Sequence, residues 1–235
     1  MYGYGLYYYD WTYILVLIGA VLCLAAQGMV SSTFNRYSKV RSMTNMTGRE
    51  TAEKILRYAG INDVQIRHVS GNLTDHYNPK TRIVNLSDAV YDSTSVAAVS
   101  VAAHECGHVI QHHNGYVPLN FRTALVPAAN FGSYAAWPLI IIGLFINGST
   151  SAMLINIGIL LFSLAVLFQI VTLPVEINAS RRAGRILQEI GILSHDEAVY
   201  TRKVLGAAAL TYVASAAAAI LQLLRLILIF GRRRD

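Results

Sequence analysis

Hydrophobic and polar positions in this chain alternate by whole segments rather than by single residues. Residues 12–30, 124–146 and 152–175 carry no charged side chain, and each is close to the roughly 20 apolar residues that a membrane-crossing helix needs. A fourth stretch, 204–224, is also uncharged but rich in Ala, and Arg225 separates it from 226–230. An Ala-rich helix is weakly apolar, so this one is expected to pack partly against protein. The polar turn Asn147-Gly148-Ser149-Thr150-Ser151 joins the second and third stretches into a helical hairpin. Its two ends therefore emerge on one side.

Between these stretches the pattern shortens. Thr47 with Glu50 three residues on reads as a capping box, opening a helix that stops at Gly60. Residues 64–69 and 82–86 read as strands on either side of a turn-rich stretch. A long helix begins near Ser95 and reaches Asn114, with Gly115 as its stop, and Glu176 opens another after Pro174. Ser194 and Glu197 form a second capping box, so one helix is expected from His195 into the last apolar stretch. The reading is a mainly α integral membrane protein with about four transmembrane helices and a small α+β domain outside the membrane. Its parts are an N-terminal anchor (1–30), a polar portion carrying the long helix (31–119), a transmembrane hairpin (120–175), a cytoplasmic return (176–203), and an Ala-rich membrane helix with a basic tail (204–235).

Composition agrees with this division. Of 235 residues, 54% are hydrophobic and 14% charged, against about a quarter charged in a soluble domain. A net charge of +6 would permit nucleic-acid binding, but the charges follow the membrane segments. Ten Lys and Arg lie between the first span and the hairpin, whereas residues 1–10 and the hairpin turn contain none. Positive residues stay inside, so 31–119 is expected in the cytoplasm and the N-terminus outside. Arg181, Arg182, Arg185, Arg202 and Lys203 agree; the terminal triplet Arg232 to Arg234 does not, because a complete fourth span would carry it outside. The aromatic start MYGYGLYYYDW suits a membrane interface and lacks a basic leader, so the first span is read as a retained anchor. Cys23 and Cys106 lie in different surroundings, and no structural disulfide is expected.

The chemistry lies on the long helix, in His104-Glu105-Cys106-Gly107-His108. This fits H-E-x-x-H: residues four apart share a helix face, so two imidazoles address one zinc while Glu105 stands beside it as general base. A catalytic zinc takes three protein ligands and keeps one position open. His112, one turn beyond His108, rises about 6 Å further along the axis and is a poor third ligand; it is read as a surface or supporting residue. Glu176 is the better candidate. The hairpin brings the chain back beside the long helix just before it, and Ala179 and Ala183 would allow close approach to Ala102, Ala103 and Gly107. Glu189, Asp196 and Glu197 remain open as alternatives. Cys106 points to the opposite face, as a packing residue.

These residues, with Asp75-His76-Tyr77-Asn78-Pro79, Val84-Asn85-Leu86-Ser87, Val90-Tyr91, Ile110-Gln111-His112 and Glu176-Ile177-Asn178-Ala179-Ser180-Arg181-Arg182, carry a resemblance over nearly the whole chain to the YugP-type membrane zinc metallopeptidases. The chain also resembles, more loosely, HtpX-like and CAAX prenyl proteases. The resemblance implies a zincin-like domain of the gluzincin kind, with Zn2+ on His104, His108 and Glu176 and Glu105 as general base and later acid. Residues 82–86 would then form an edge strand on which an extended peptide adds, with an ordinary core strand as the open alternative. The looser relatives usually place Asp four residues after the ligand Glu; Ser180 stands there instead, so that contact cannot be carried over. Tyr77, His76, Arg181, Arg182 and Tyr212 are all candidates for stabilising an oxyanion. The leading expectation is a zinc endopeptidase acting on extended or unfolded membrane-protein segments at the cytoplasmic surface. A catalytically silent membrane scaffold that binds other membrane proteins is the alternative.

Overall fold

A computed structural model describes residues 10–231. The tyrosines among the first nine residues and the arginines at 232–234 lie outside the described residues. Six helices and three strands follow in the order α1 (Tyr13–Tyr37), α2 (Gly48–Tyr58), β1 (Gln65–Val69), β2 (His76–Asn78), β3 (Ile83–Ser87), α3 (Val96–His113), α4 (Val117–Phe145), α5 (Ser149–Glu189) and α6 (His195–Phe230). Four of them, α1, α4, α5 and α6, are long and apolar enough to cross a membrane. Their exposed positions include Leu24, Phe131, Phe145 and Leu160, a surface that suits lipid rather than water.

The chain divides into two compact units, one of residues 1–24, 127–167 and 214–235 and one of 25–126 and 168–213. In the first, α4 and α5 meet at glycines: a Cβ on Gly132 would run into the Leu161 carbonyl oxygen, and one on Gly158 would lie 2.6 Å from Ile140. Small residues let helix backbones approach where no water drives them together. The segments of α1 and α6 in this unit run antiparallel. Gly19 faces Ala218, and the Arg225 guanidinium pairs with the Asp10 carboxylate at 2.8 Å while lying 4.1 Å from the centre of the Tyr13 ring. A charge within an apolar run is tolerated when it is paired in this way.

The second unit holds the hydrophobic core. Its sheet has the order β1-β3-β2, with β1 parallel and β2 antiparallel to β3. Both N-terminal boxes form: Thr47 and Glu50 exchange bonds at the start of α2, and Ser194 and Glu197 do so before α6. On α3, Ser95 caps the first turn through the Ala98 amide, and Gly115 ends the helix region with φ +61°. The buried face of α3 includes Val96, Val99, Cys106 and Val109, packed with Ile55, Val84, Leu86 and Leu187. Each fully buried Val, Leu or Ile contributes about 1.5–3 kcal/mol, so α3 is held as the spine of this unit.

Two expectations are corrected. Of the two readings of residues 82–86, the core strand holds and the edge strand does not: β3 is the central strand, and the edges belong to β1 and β2. The stretch between the expected strands contains His76–Asn78, which pairs antiparallel with β3 but is too short to show alternation beside Asn78-Pro79. Glu176 also does not open a helix. Pro174 lies inside α5, which continues to Glu189. A proline removes one backbone bond, and in a helix of 41 residues with apolar surroundings the remaining bonds have no competitor.

Candidate metal centre

Helix α3 places His104 and His108 one turn apart, their rings edge to face with centroids 4.7 Å apart. Both Nε2 atoms turn to the same point, 3.2 Å from each other. From α5, Glu176 Oε2 stands 3.3 Å from the first and 3.4 Å from the second. Three donors therefore form a nearly equilateral triangle. Bonds of about 2.0–2.1 Å to a tetrahedral Zn2+ require ligand atoms about 3.3–3.4 Å apart, which is the spacing found. Oε2 is also buried without a well-formed hydrogen bond, a costly state for a carboxylate unless a cation takes it up. The donor set fits zinc.

The approach of α5 to α3 has a sequence cause. A Cβ on Gly107 would lie 2.7 Å from the Ala179 carbonyl oxygen, and Ala179 and Ala183 are buried there. Small residues on both helices let Glu176 reach the histidines, as their spacing led one to expect.

The outer ring nitrogens are held as well. Gln111 Oε1 lies 3.0 Å from His108 Nδ1, while its Nε2 donates to the Val175 carbonyl at 2.8 Å and to Asn178 Oδ1 at 3.0 Å. Because that nitrogen is the amide donor, Oε1 accepts and His108 Nδ1 donates. In the neutral ring this leaves Nε2 of His108 as the unprotonated nitrogen, the one that a metal would take. Arg182 Nε donates to Asn178 Oδ1 at 2.7 Å and fixes the other end of this chain of contacts. Ser180 Oγ lies 3.1 Å from His104 Nδ1. Burial disfavours the charged form of His108, but the Glu176 carboxylate beside it and nearby Glu105 more than offset this and raise its pKa above the ordinary imidazole value.

Glu105 is buried and lines two cavities of about 160 and 170 Å3 that share Asp75, His104 and Tyr212. One is otherwise apolar, with Phe34, Val101, Val204 and Ala208. The other contains His108, Glu176, Tyr77 and Arg122. Asp75 accepts bonds from the Ser87 amide at 2.7 Å and the Ser87 hydroxyl at 2.8 Å. Its carboxyl pKa is raised chiefly by burial, with the Ser87 bonds opposing and Glu105 adding to the rise.

The remaining candidates separate. His112 is outside the triangle, with Nδ1 2.9 Å from the Tyr77 hydroxyl. Glu197 caps α6 and accepts the Met43 amide at 2.7 Å, and Glu189 ends α5. Cys106 faces the core, its thiol 3.8 Å from the Ala52 carbonyl oxygen and its pKa pushed up by burial. Among the oxyanion candidates, Arg182 is engaged with Asn178, Tyr77 with His112, and His76 with Thr74 and Asn85. Tyr212 faces the cavity. Arg122 joins it there, with Nη2 3.9 Å from Glu176 Oε1 and Nε without a partner. Neither the Gln111 brace nor Arg122 was singled out from sequence, although Gln111 follows His108 by three residues, on its own helix face.

A family described as "Putative neutral zinc metallopeptidase" matches residues 12–231. The chain is 46% identical over 224 residues to a Bacillus subtilis (strain 168) protein named "Putative membrane protease YugP", covering 95% of this chain and 98% of that one. No solved structure gives a significant match.

Proposed function

The chain belongs to the "Putative neutral zinc metallopeptidase" family, and from that premise we propose that it is a zinc-dependent endopeptidase of the membrane, with His104, His108 and Glu176 as metal ligands and Glu105 as general base. The triangle of donors at 3.2–3.4 Å carries this reading. A zinc ion held there supplies Lewis acidity, polarising the scissile carbonyl and acidifying the attacking water. Glu105 accepts that water's proton and delivers it to the leaving amine. Gln111 and Ser180 keep the imidazoles turned inward. Tyr212 and Arg122 are the donors in the cavity that are available to the developing oxyanion.

Strand β2 pairs with β3 on one side, and an extended peptide adds along its other edge. The apolar cavity beside Glu105 takes a hydrophobic side chain. Such a groove reads backbone in an unfolded segment, so the substrates are extended stretches of membrane proteins. Basic residues put 31–119 and 176–203 in the cytoplasm and the N-terminus outside. The Asp10–Arg225 pair supports a complete crossing by α6, because it joins the start of α1 to the far end of α6.

Zinc analysis of purified variants tests the site. His108→Ala and Glu176→Gln are expected to lose the metal, and His112→Ala to keep one zinc per chain. Full zinc after Glu176→Gln would remove that residue from the ligand set.

A further inference from the structure

The end of α5 and the start of α6 enclose a groove of about 440 Å3 that none of the three ligand candidates reaches. Its rim carries Arg181 and Arg185, one turn apart on α5, and Arg202 on α6. All three are exposed, no carboxylate lines the groove, and none of the three forms an ion pair or side-chain hydrogen bond among the described residues. Three guanidinium groups around one cleft repel each other, and an anion between them offsets that cost.

The floor is apolar. Leu205 and Ala209 continue into the uncharged run of α6, and Ile177 faces them from α5. Gly184 and Gly206 leave the cleft open, since a Cβ on either would meet nothing within 4 Å. Basic residues thus stand where the apolar run of α6 begins, above a channel that follows it. A free phosphate would use the rim alone. A phosphodiester attached to acyl chains uses both parts, and basic clefts between membrane helices have that chemistry.

We propose that this groove binds one anionic phospholipid, its phosphodiester on Arg181, Arg185 and Arg202 and an acyl chain along Leu205, Gly206 and Ala209. The lipid clamps α5, which carries Glu176, against α6, which carries Tyr212. This assignment does not depend on peptide hydrolysis.

The test uses the full chain in detergent, loaded from micelles with equal parts phosphatidylglycerol and phosphatidylcholine, washed, and assayed for retained lipid by mass spectrometry. Phosphatidylglycerol is expected to be retained selectively, with affinity falling about fivefold for each of Arg181→Gln, Arg185→Gln and Arg202→Gln. Gly206→Leu should also abolish retention, with every charge intact and a better helix former in place. Equal retention of the two lipids, or no loss in the triple Gln variant, overturns the proposal. So does displacement of phosphatidylglycerol by inorganic phosphate together with normal retention by Gly206→Leu, which would mark an anion rim without a lipid channel.

Discussion

Ser180 Oγ lies 3.1 Å from Nδ1 of His104, one helical turn beyond Glu176 on the same face of α5. One helix therefore brings a carboxylate to the inner nitrogens of the two histidines and a hydroxyl to the outer nitrogen of one of them. Gln111 serves the other. Ser180→Ala and Gln111→Leu are each expected to weaken zinc binding by about 10–100-fold, measured by competition with a chromogenic chelator. Gln111→Leu should cost more, because it also strips the Val175 carbonyl and Asn178 of a donor. Unchanged affinity in both would mean that packing alone orients the rings.

Gly107 sets the distance between α3 and α5. Alanine is favoured over glycine in a helix by about 1 kcal/mol, but overpacking costs about 1–3 kcal/mol, and the atom met at 2.7 Å is a backbone oxygen that cannot rotate away. Gly107→Ala should therefore lower both thermal stability and zinc affinity. Gly184→Ala, which meets nothing within 4 Å, should do neither. Equal behaviour of the two variants would contradict the contact.

Asp75 gives a pH signature. Its folded pKa lies above the ordinary 3.8, so its favourable contribution is complete below that value and is lost as pH rises through the folded pKa. Asn at this position stays neutral. The stability of Asp75→Asn relative to the parent chain should therefore increase as pH rises from below 3.8 towards neutrality, in paired thermal unfolding scans. A difference that falls over that range would reverse the assignment.

The topology is open to labelling. Cysteines placed at Ser70 and Gln188 should resist an impermeant reagent added outside intact cells, and one at Asp235 should react. Reaction at Ser70 would overturn the orientation, and protection at Asp235 would turn α6 back before its end.

Local signals were the legible ones. Thr47 and Glu50, Ser194 and Glu197, Gly115, and the spacing of His104 and His108 each act within a turn or two of their own helix, and each appears where the sequence places it. The close contact of Gly107 with Ala179 was legible because small residues stood on both sides of a hairpin that closes. What escaped depends on partners distant in sequence. His76–Asn78 is a strand only because β3 pairs with it. Pro174 reads as a break by its own chemistry, yet α5 continues through it. Gln111 looks like any helix-surface amide until Val175 and Asn178 arrive from α5.

The most direct test compares new protein N-termini in membranes that carry the parent chain with those that carry Glu105→Gln. The amide preserves the side chain's shape but cannot accept a proton from the attacking water. Glu105→Gln is expected to fold and hold one zinc per chain, while the N-termini produced by the parent, within extended segments of membrane proteins, disappear. The same set of N-termini from both proteins would contradict Glu105 as the general base, and their absence from the parent as well would favour a silent membrane scaffold.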